Sequence, residues 1–255
     1  MTCYACSSLH KTFFGGSRGS NKLVMPDMVI MGGGGGSSSG VGGVFKLLNA
    51  KKEFLSCVFA NLIVQLGITY YVMMNFVPSS DSKQNISHLM LFFTQIFIIF
   101  ILAFMPMPAW LKFIIFSVFS FTFGIILASL KKTIDPAIIK TALAGTMGIF
   151  GAMFTAGLAL LLFGVQLGIR FGLGLLYALI LLILASIVFM FMGAYSVAAK
   201  GFGVISLFLF SLFVIYDTNS ILQRNYYGDF ITASLDYYLD IVNIFVSLSG
   251  NSNAP

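Results

Sequence analysis

Val204-Ile205-Ser206-Leu207-Phe208-Leu209-Phe210-Ser211-Leu212-Phe213-Val214-Ile215-Tyr216-Asp217 is an apolar run that closes on a carboxylate. A second carboxylate lies inside Leu235-Asp236-Tyr237-Tyr238-Leu239-Asp240-Ile241-Val242-Asn243-Ile244-Phe245. An acid at mid-membrane costs roughly 2.5–3.5 kcal/mol on insertion scales, so it faces a partner or a water-filled path. The chain has only eight acidic residues, and Asp217, Asp236 and Asp240 all fall in these two stretches. That placement points to a proton- or cation-handling site inside a membrane domain.

Working outward, hydrophobic residues make up 58% of the 255 and charged residues 9%, far from a soluble balance. The excess is blocked into stretches of about twenty residues, the length that spans a bilayer as a helix. No alternating pattern of a membrane barrel is present. The fold class is therefore an all-α integral membrane protein. Seven spans are expected, near residues 54–77, 87–105, 110–130, 136–163, 169–192, 201–222 and 230–248. Pro78, Pro106, Pro108 and Pro136 fall between them, where no helical hydrogen bond is lost. Asp135-Pro136 has the form of a helix N-cap followed by proline at the first helical position. Trp110, the single tryptophan, sits at a span edge.

The net charge of +6 does not indicate nucleic acid as a partner. Lys11, Arg18, Lys22, Lys46, Lys51 and Lys52 precede the first span, where positive charge keeps a segment cytosolic. Residues 1–45, with glycine from Gly32 to Gly36 and then Ser37-Ser38-Ser39-Gly40, are expected to form a disordered tail. Residues 46–250 form the seven-helix domain and 251–255 a short C-terminal tail. Cys3 and Cys6 make a lone C-x-x-C that His10 does not complete as a metal site. No permanent metal and no cofactor are expected. Cys57 is read as a small apolar packing residue.

Within the spans, Ala144, Gly148, Ala152 and Ala156 recur every four residues and are expected to let another helix approach closely, as are Gly168 and Gly172. Asn61, Gln65 and Thr69 share the same spacing; they either bond neighbouring helices or line a pore. The last segment carries Asp236, Asp240 and Asn243 on one helical face. A helix this polar belongs at the centre of a ring made by the other six, its polar face lining the interior. Two carboxylates brought together in low dielectric cannot both ionise cheaply. A shared proton would hold their helices together, and its loss would leave charges that repel one another or attract a cation. Hard oxygen ligands suit calcium, although two carboxylates fall short of its usual six to eight oxygens. Read on the residues alone, the acids form either a proton-gated cation path or a bonded pair that fixes helix orientation.

Ile215-Tyr216-Asp217-Thr218-Asn219-Ser220-Ile221, Gly228-Asp229-Phe230-Ile231 and Tyr238-Leu239-Asp240-Ile241-Val242-Asn243-Ile244-Phe245 closely resemble the Bax-inhibitor family signature, roughly YDTQxI, GDYI and LYLDIINLF. Phe54-Leu55, Gln65-Leu66 and Ile68-Thr69 look like the family's first span, and Gly124-Ile125-Ile126-Leu127-Ala128 like its third. The resemblance implies seven membrane helices with a central last helix, a pH-dependent calcium leak and, in eukaryotes, restraint of cell death. It also implies that Asp217 and Asp240 form the proton and calcium sensor.

Two features depart from the family. The arginine that follows the second span in members described with this sensor is absent, and the first cation after that span is Lys112. Asp236 is an additional acid. A hairpin symmetric about Tyr226-Tyr227 would level Asp217 with Asp236 and leave Asp240 about one turn deeper, ~6 Å at 1.5 Å per residue; the resemblance instead pairs Asp217 with Asp240.

The reading is thus a pH-sensitive calcium leak channel that modulates cell death, with Asp217 and Asp240 as sensor and Asp236, Asn243, Asn61 and Gln65 as pore-lining candidates. Its partners are the lipid bilayer, calcium ions and other membrane proteins. Its expected location is the ER or Golgi membrane, with the mitochondrial inner membrane or plasma membrane as alternatives. The competing reading is a non-conducting scaffold that regulates apoptosis through protein partners. An enzyme is not expected: Tyr216-Asp217 and Gly228-Asp229 suggest an intramembrane aspartyl protease, but position 226 is tyrosine where G-x-G-D needs glycine, and Asp229 reads as an N-cap.

Overall fold

A computed structural model of the protein describes residues 41–77, 84–129, 134–192, 195–223 and 228–251. Cys3, Cys6, His10 and the expected tail up to residue 40 lie outside the described residues. Among those described there is no strand, and the chain forms seven helices in sequence: α1 Val41–Asn75, α2 Gln84–Phe104, α3 Ala109–Ala128, α4 Pro136–Leu162, α5 Ile169–Phe191, α6 Tyr195–Gln223 and α7 Phe230–Asn251. Six of them are long and apolar enough to cross a membrane, and in α2 (Gln84–Phe104) the described residues include the apolar run Phe93–Phe104. The protein is a multi-pass integral membrane protein.

Helix ends follow local chemistry. Asp135 caps α4 by accepting the Ala137 N–H at 2.7 Å, with Pro136 at the first helical position. The same helix ends where Gly164 turns to φ +75°, the Gly164 N–H donating to Leu161 and that of Val165 to Leu160. This is the six-to-one and five-to-two closure that a left-handed glycine permits. Two helices begin earlier than hydropathy suggests. The first turns of α1 carry Lys46, Lys51, Lys52 and Glu53, and α6 starts at Tyr195, ahead of Gly201. Backbone hydrogen bonding continues past the point where the side chains become too polar for lipid.

Helix α7 is the centre of the bundle, but not of a ring of six. It packs against α6, α1, α4 and α3, while α2 leans chiefly on α3 and α5 on α6. Two-thirds (67%) of its membrane window is buried, against 11% for α5. Ser234 shows how close the packing is, donating at 2.9 Å to the Val58 carbonyl of α1.

The small-residue stripe of α4 does not make its close contacts. Ala144, Gly148 and Ala152 face outward, and a Cβ at Gly148 would meet nothing within 4 Å. The close approach is at Gly157, where a Cβ would lie 2.8 Å from the Thr218 Cβ and 2.9 Å from the Ile215 carbonyl oxygen of α6. Small residues every four positions satisfy a packing motif on any face; the partner helix decides which face is used. Gly172 does act as a contact, since it leaves room for the Tyr216 ring, and Gly124 admits Thr69 and Val72 of α1; a Cβ at Gly168 would meet nothing within 4 Å.

Candidate functional site

The α6–α7 hairpin places the acids. Gly228, at φ +81°, adopts the left-handed conformation in which glycine is unstrained. It turns the chain into Asp229, which caps α7 by accepting the Thr232 N–H at 3.1 Å. Two tyrosines then fix the rotation of α7. Tyr237 stacks with Phe59 and meets Phe150 and Phe154 edge-on, and its hydroxyl donates to Thr218 Oγ1 of α6 at 3.1 Å. Tyr238 sits edge-on among Phe116, Phe119 and Phe123 of α3, with its hydroxyl 2.6 Å from Thr69 Oγ1 of α1. Held from both sides, α7 can present only one face to α6.

On that face the carboxyl groups of Asp217 and Asp240 lie close enough to interact, and Asp236 lies within electrostatic reach of Asp240. A hydrogen bond between two carboxyl groups would require a proton on one of them. Asp240 is 3% exposed and its Oδ2 is buried with no hydrogen-bond partner, whereas Asp217 and Asp236 are half-buried. Asp217 thus meets Asp240, one turn deeper than Asp236, although Ser206 and Ser247 at the far end keep the pairing of a symmetric hairpin. Among the described residues no group of three or more His, Cys, Asp or Glu side chains could hold a metal ion.

The other expected residues are placed differently. Gln65 is wholly buried; it donates to Asn61 Oδ1 at 3.3 Å and Ser117 Oγ at 3.2 Å, and accepts from Ser120 Oγ at 2.9 Å. Asn61, also buried, keeps its Nδ2 without a partner. These two therefore form a seam between α1 and α3, away from the acids of α6. Asn243 is half-buried and donates to Leu239 of its own helix.

Three contacts at the α6–α7 connection were not anticipated. Lys112 Nζ lies 2.5 Å from Asp229 Oδ2, with the lysine side chain 8% and the aspartate 31% exposed. Burial alone would raise the Asp229 pKa, but bonds from Lys112 and Thr232 outweigh it and hold the carboxyl below its ordinary value. Lys51 donates at 3.1 Å to the Ile221 carbonyl in the last turn of α6, and Asn219 joins the α4–α5 connection through Val165 and Leu167. A lysine inside an otherwise apolar helix was the available signal for Lys112. Asp229, the acid of the Gly228-Asp229 pair, is thus engaged by Lys112 and by its own helix.

Residues 51–250 match the sequence model of the family described as inhibitor of apoptosis-promoting Bax1. A BI1-like protein of Arabidopsis thaliana is 37% identical over 73 residues, 28% of each chain. LIFEGUARD 4 of the same plant is 30% identical over 71 residues, 28% of this chain and 29% of that protein. The chain thus matches less than a third of the length of these plant relatives. An uncharacterized protein of Campylobacter jejuni is 28% identical over 197 residues, covering 75% of this chain and 82% of its own. With a family match over nearly the whole helical domain, the chain belongs to the Bax-inhibitor family.

Proposed function

We propose that the protein is a pH-sensitive calcium leak channel of an intracellular membrane, the ER or Golgi, and that its leak modulates cell death. The observation that carries the reading is the placing of Asp240, buried with its Oδ2 unpartnered, beside Asp217 across α6 and α7. While a proton is shared between them, the two carboxyls tie the helices together. Once it leaves, two adjacent charges in low dielectric repel, and they relax by separating α6 from α7 or by admitting a cation. Oxygen ligands of this kind suit calcium, and their small number favours passage over retention. Acid therefore closes the path and rising pH opens it. The cell-death role rests on the family, described as inhibitor of apoptosis-promoting Bax1.

Calcium flux through purified protein in liposomes, followed from about pH 5 to 8, tests the reading. Asp217→Asn and Asp240→Asn preserve shape but remove the ionisable pair, so each variant folds and loses the pH response; Asp236→Asn has the smaller effect. A pH response that survives both Asp217→Asn and Asp240→Asn sinks the mechanism. The second reading, a non-conducting scaffold acting through protein partners, draws on the way α7 is bolted to α1, α3 and α6 through Ser234, Tyr238 and Tyr237. It predicts no calcium flux at any pH.

A further inference from the structure

Asp229, Thr232, Asp236, Asp240, Asn243 and Ser247 follow one another at spacings of three or four residues. At about 100° per residue they fall on one face of α7, a polar stripe running its whole length. Its far end is tied to α6 by the 3.1 Å contact between Ser247 Oγ and Ser206 Oγ, and its middle lies where Asp240 meets Asp217 of α6. At the connection end, the ammonium of Lys112 sits on the stripe's first two oxygens, 2.5 Å from Asp229 Oδ2 and 3.1 Å from Thr232 Oγ1.

We propose that Lys112 is a tethered plug, its ammonium occupying on Asp229 and Thr232 the entry position for a divalent cation on a polar stripe that leads to Asp240. The inference rests on the reading of that stripe as a cation path. A carboxylate and a hydroxyl oxygen are the ligands a hard cation takes. The plug is held in place, because Thr232 Oγ1 also donates to Asp229 Oδ2 at 2.7 Å and Lys112 is 7% exposed. Its charge is thus not swinging in solvent but fixed where an incoming cation would sit. The position lies about 16 Å from Asp240 along α7 at 1.5 Å per residue, so Lys112 controls entry without touching the proton-sharing pair. Its flexible stem lets the ammonium withdraw towards water when the position is vacated.

The test uses the full chain in detergent and in liposomes. Asp240 is labelled with a water-soluble carbodiimide plus an amine and quantified by peptide mass spectrometry, and calcium flux is measured on the same samples. Lys112→Gln labels at Asp240 at least threefold faster than wild type and leaks at least fivefold more calcium at pH 7. Lys112→Arg, which keeps a tethered cation, stays within twofold of wild type on both. Lys112→Met, whose unbranched stem fills the same space, replaces the glutamine variant if that one fails to fold. Wild-type labelling and flux in the uncharged variants overturn the plug. Faster labelling with no leak from any form at any pH supports the plug and removes the channel reading. A wild-type leak with unchanged labelling in the variants does the reverse.

Discussion

Tyr237 and Tyr238 are neighbours, both wholly buried, yet their hydroxyls hold α7 to different helices: Tyr237 to Thr218 of α6 and Tyr238 to Thr69 of α1. Tyr→Phe at either position deletes one hydroxyl and keeps the ring in its aromatic socket. Neither change orphans the partner, since Thr218 still donates to the Val214 carbonyl and Thr69 to those of Gln65 and Ser120. Each loss should therefore be near the membrane average for a side-chain bond, about 0.6 kcal/mol. Thermal unfolding in detergent should show the two variants equally and slightly destabilised. Their effect on function should differ, because Thr218 is the residue after Asp217 and the Tyr237 bond belongs to the arrangement in which the proton is shared. For a one-proton transition, about 0.6 kcal/mol corresponds to ~0.4 pH unit. Tyr237→Phe should move the midpoint of the calcium leak to lower pH by about that amount, since the weakened closed form needs more acid. Tyr238→Phe should leave the midpoint in place. Equal shifts in both variants, or a shift in Tyr238→Phe alone, would refute the idea that Tyr237 positions Asp217 through Thr218.

The glycines of α4 offer a packing test. Gly157→Ala forces a methyl against Thr218 and Ile215 and should cost about 1–3 kcal/mol, whereas the outward Gly148→Ala should be neutral or stabilising by about 0.5–1 kcal/mol; detergent melts of the two decide it. The Lys112–Asp229 pair gives a pH signature in stability. Because the folded Asp229 pKa is depressed, the pair's contribution is fully present above the unfolded carboxylate pKa, near ~3.9, and is lost as pH falls through the folded value. Wild type should exceed Lys112→Gln by about 1–3 kcal/mol at an unchanging margin from pH 5 to 8, and the margin should close in stronger acid; a margin that vanishes near neutrality would show that another group is titrating.

The number and approximate limits of the helices were readable from the chain because they depend on local quantities: apolar run length, proline position and the Asp135-Pro136 cap. The polarity of the last segment was equally local, and it placed α7 in the interior. What local patterns could not supply was the choice among equivalent faces and offsets. The small residues of α4 pointed to the wrong face, since which face meets α6 depends on the shape of α6 and not on spacing within α4. The two hairpin readings differ by one helical turn, and only the packing of α7 against α6 decides that Asp240 is the buried neighbour of Asp217. Lys112 and Asp229 are 117 residues apart. A buried charge announces that it needs a partner, but the identity of that partner is set by how the helices assemble, and only the tertiary structure decides it.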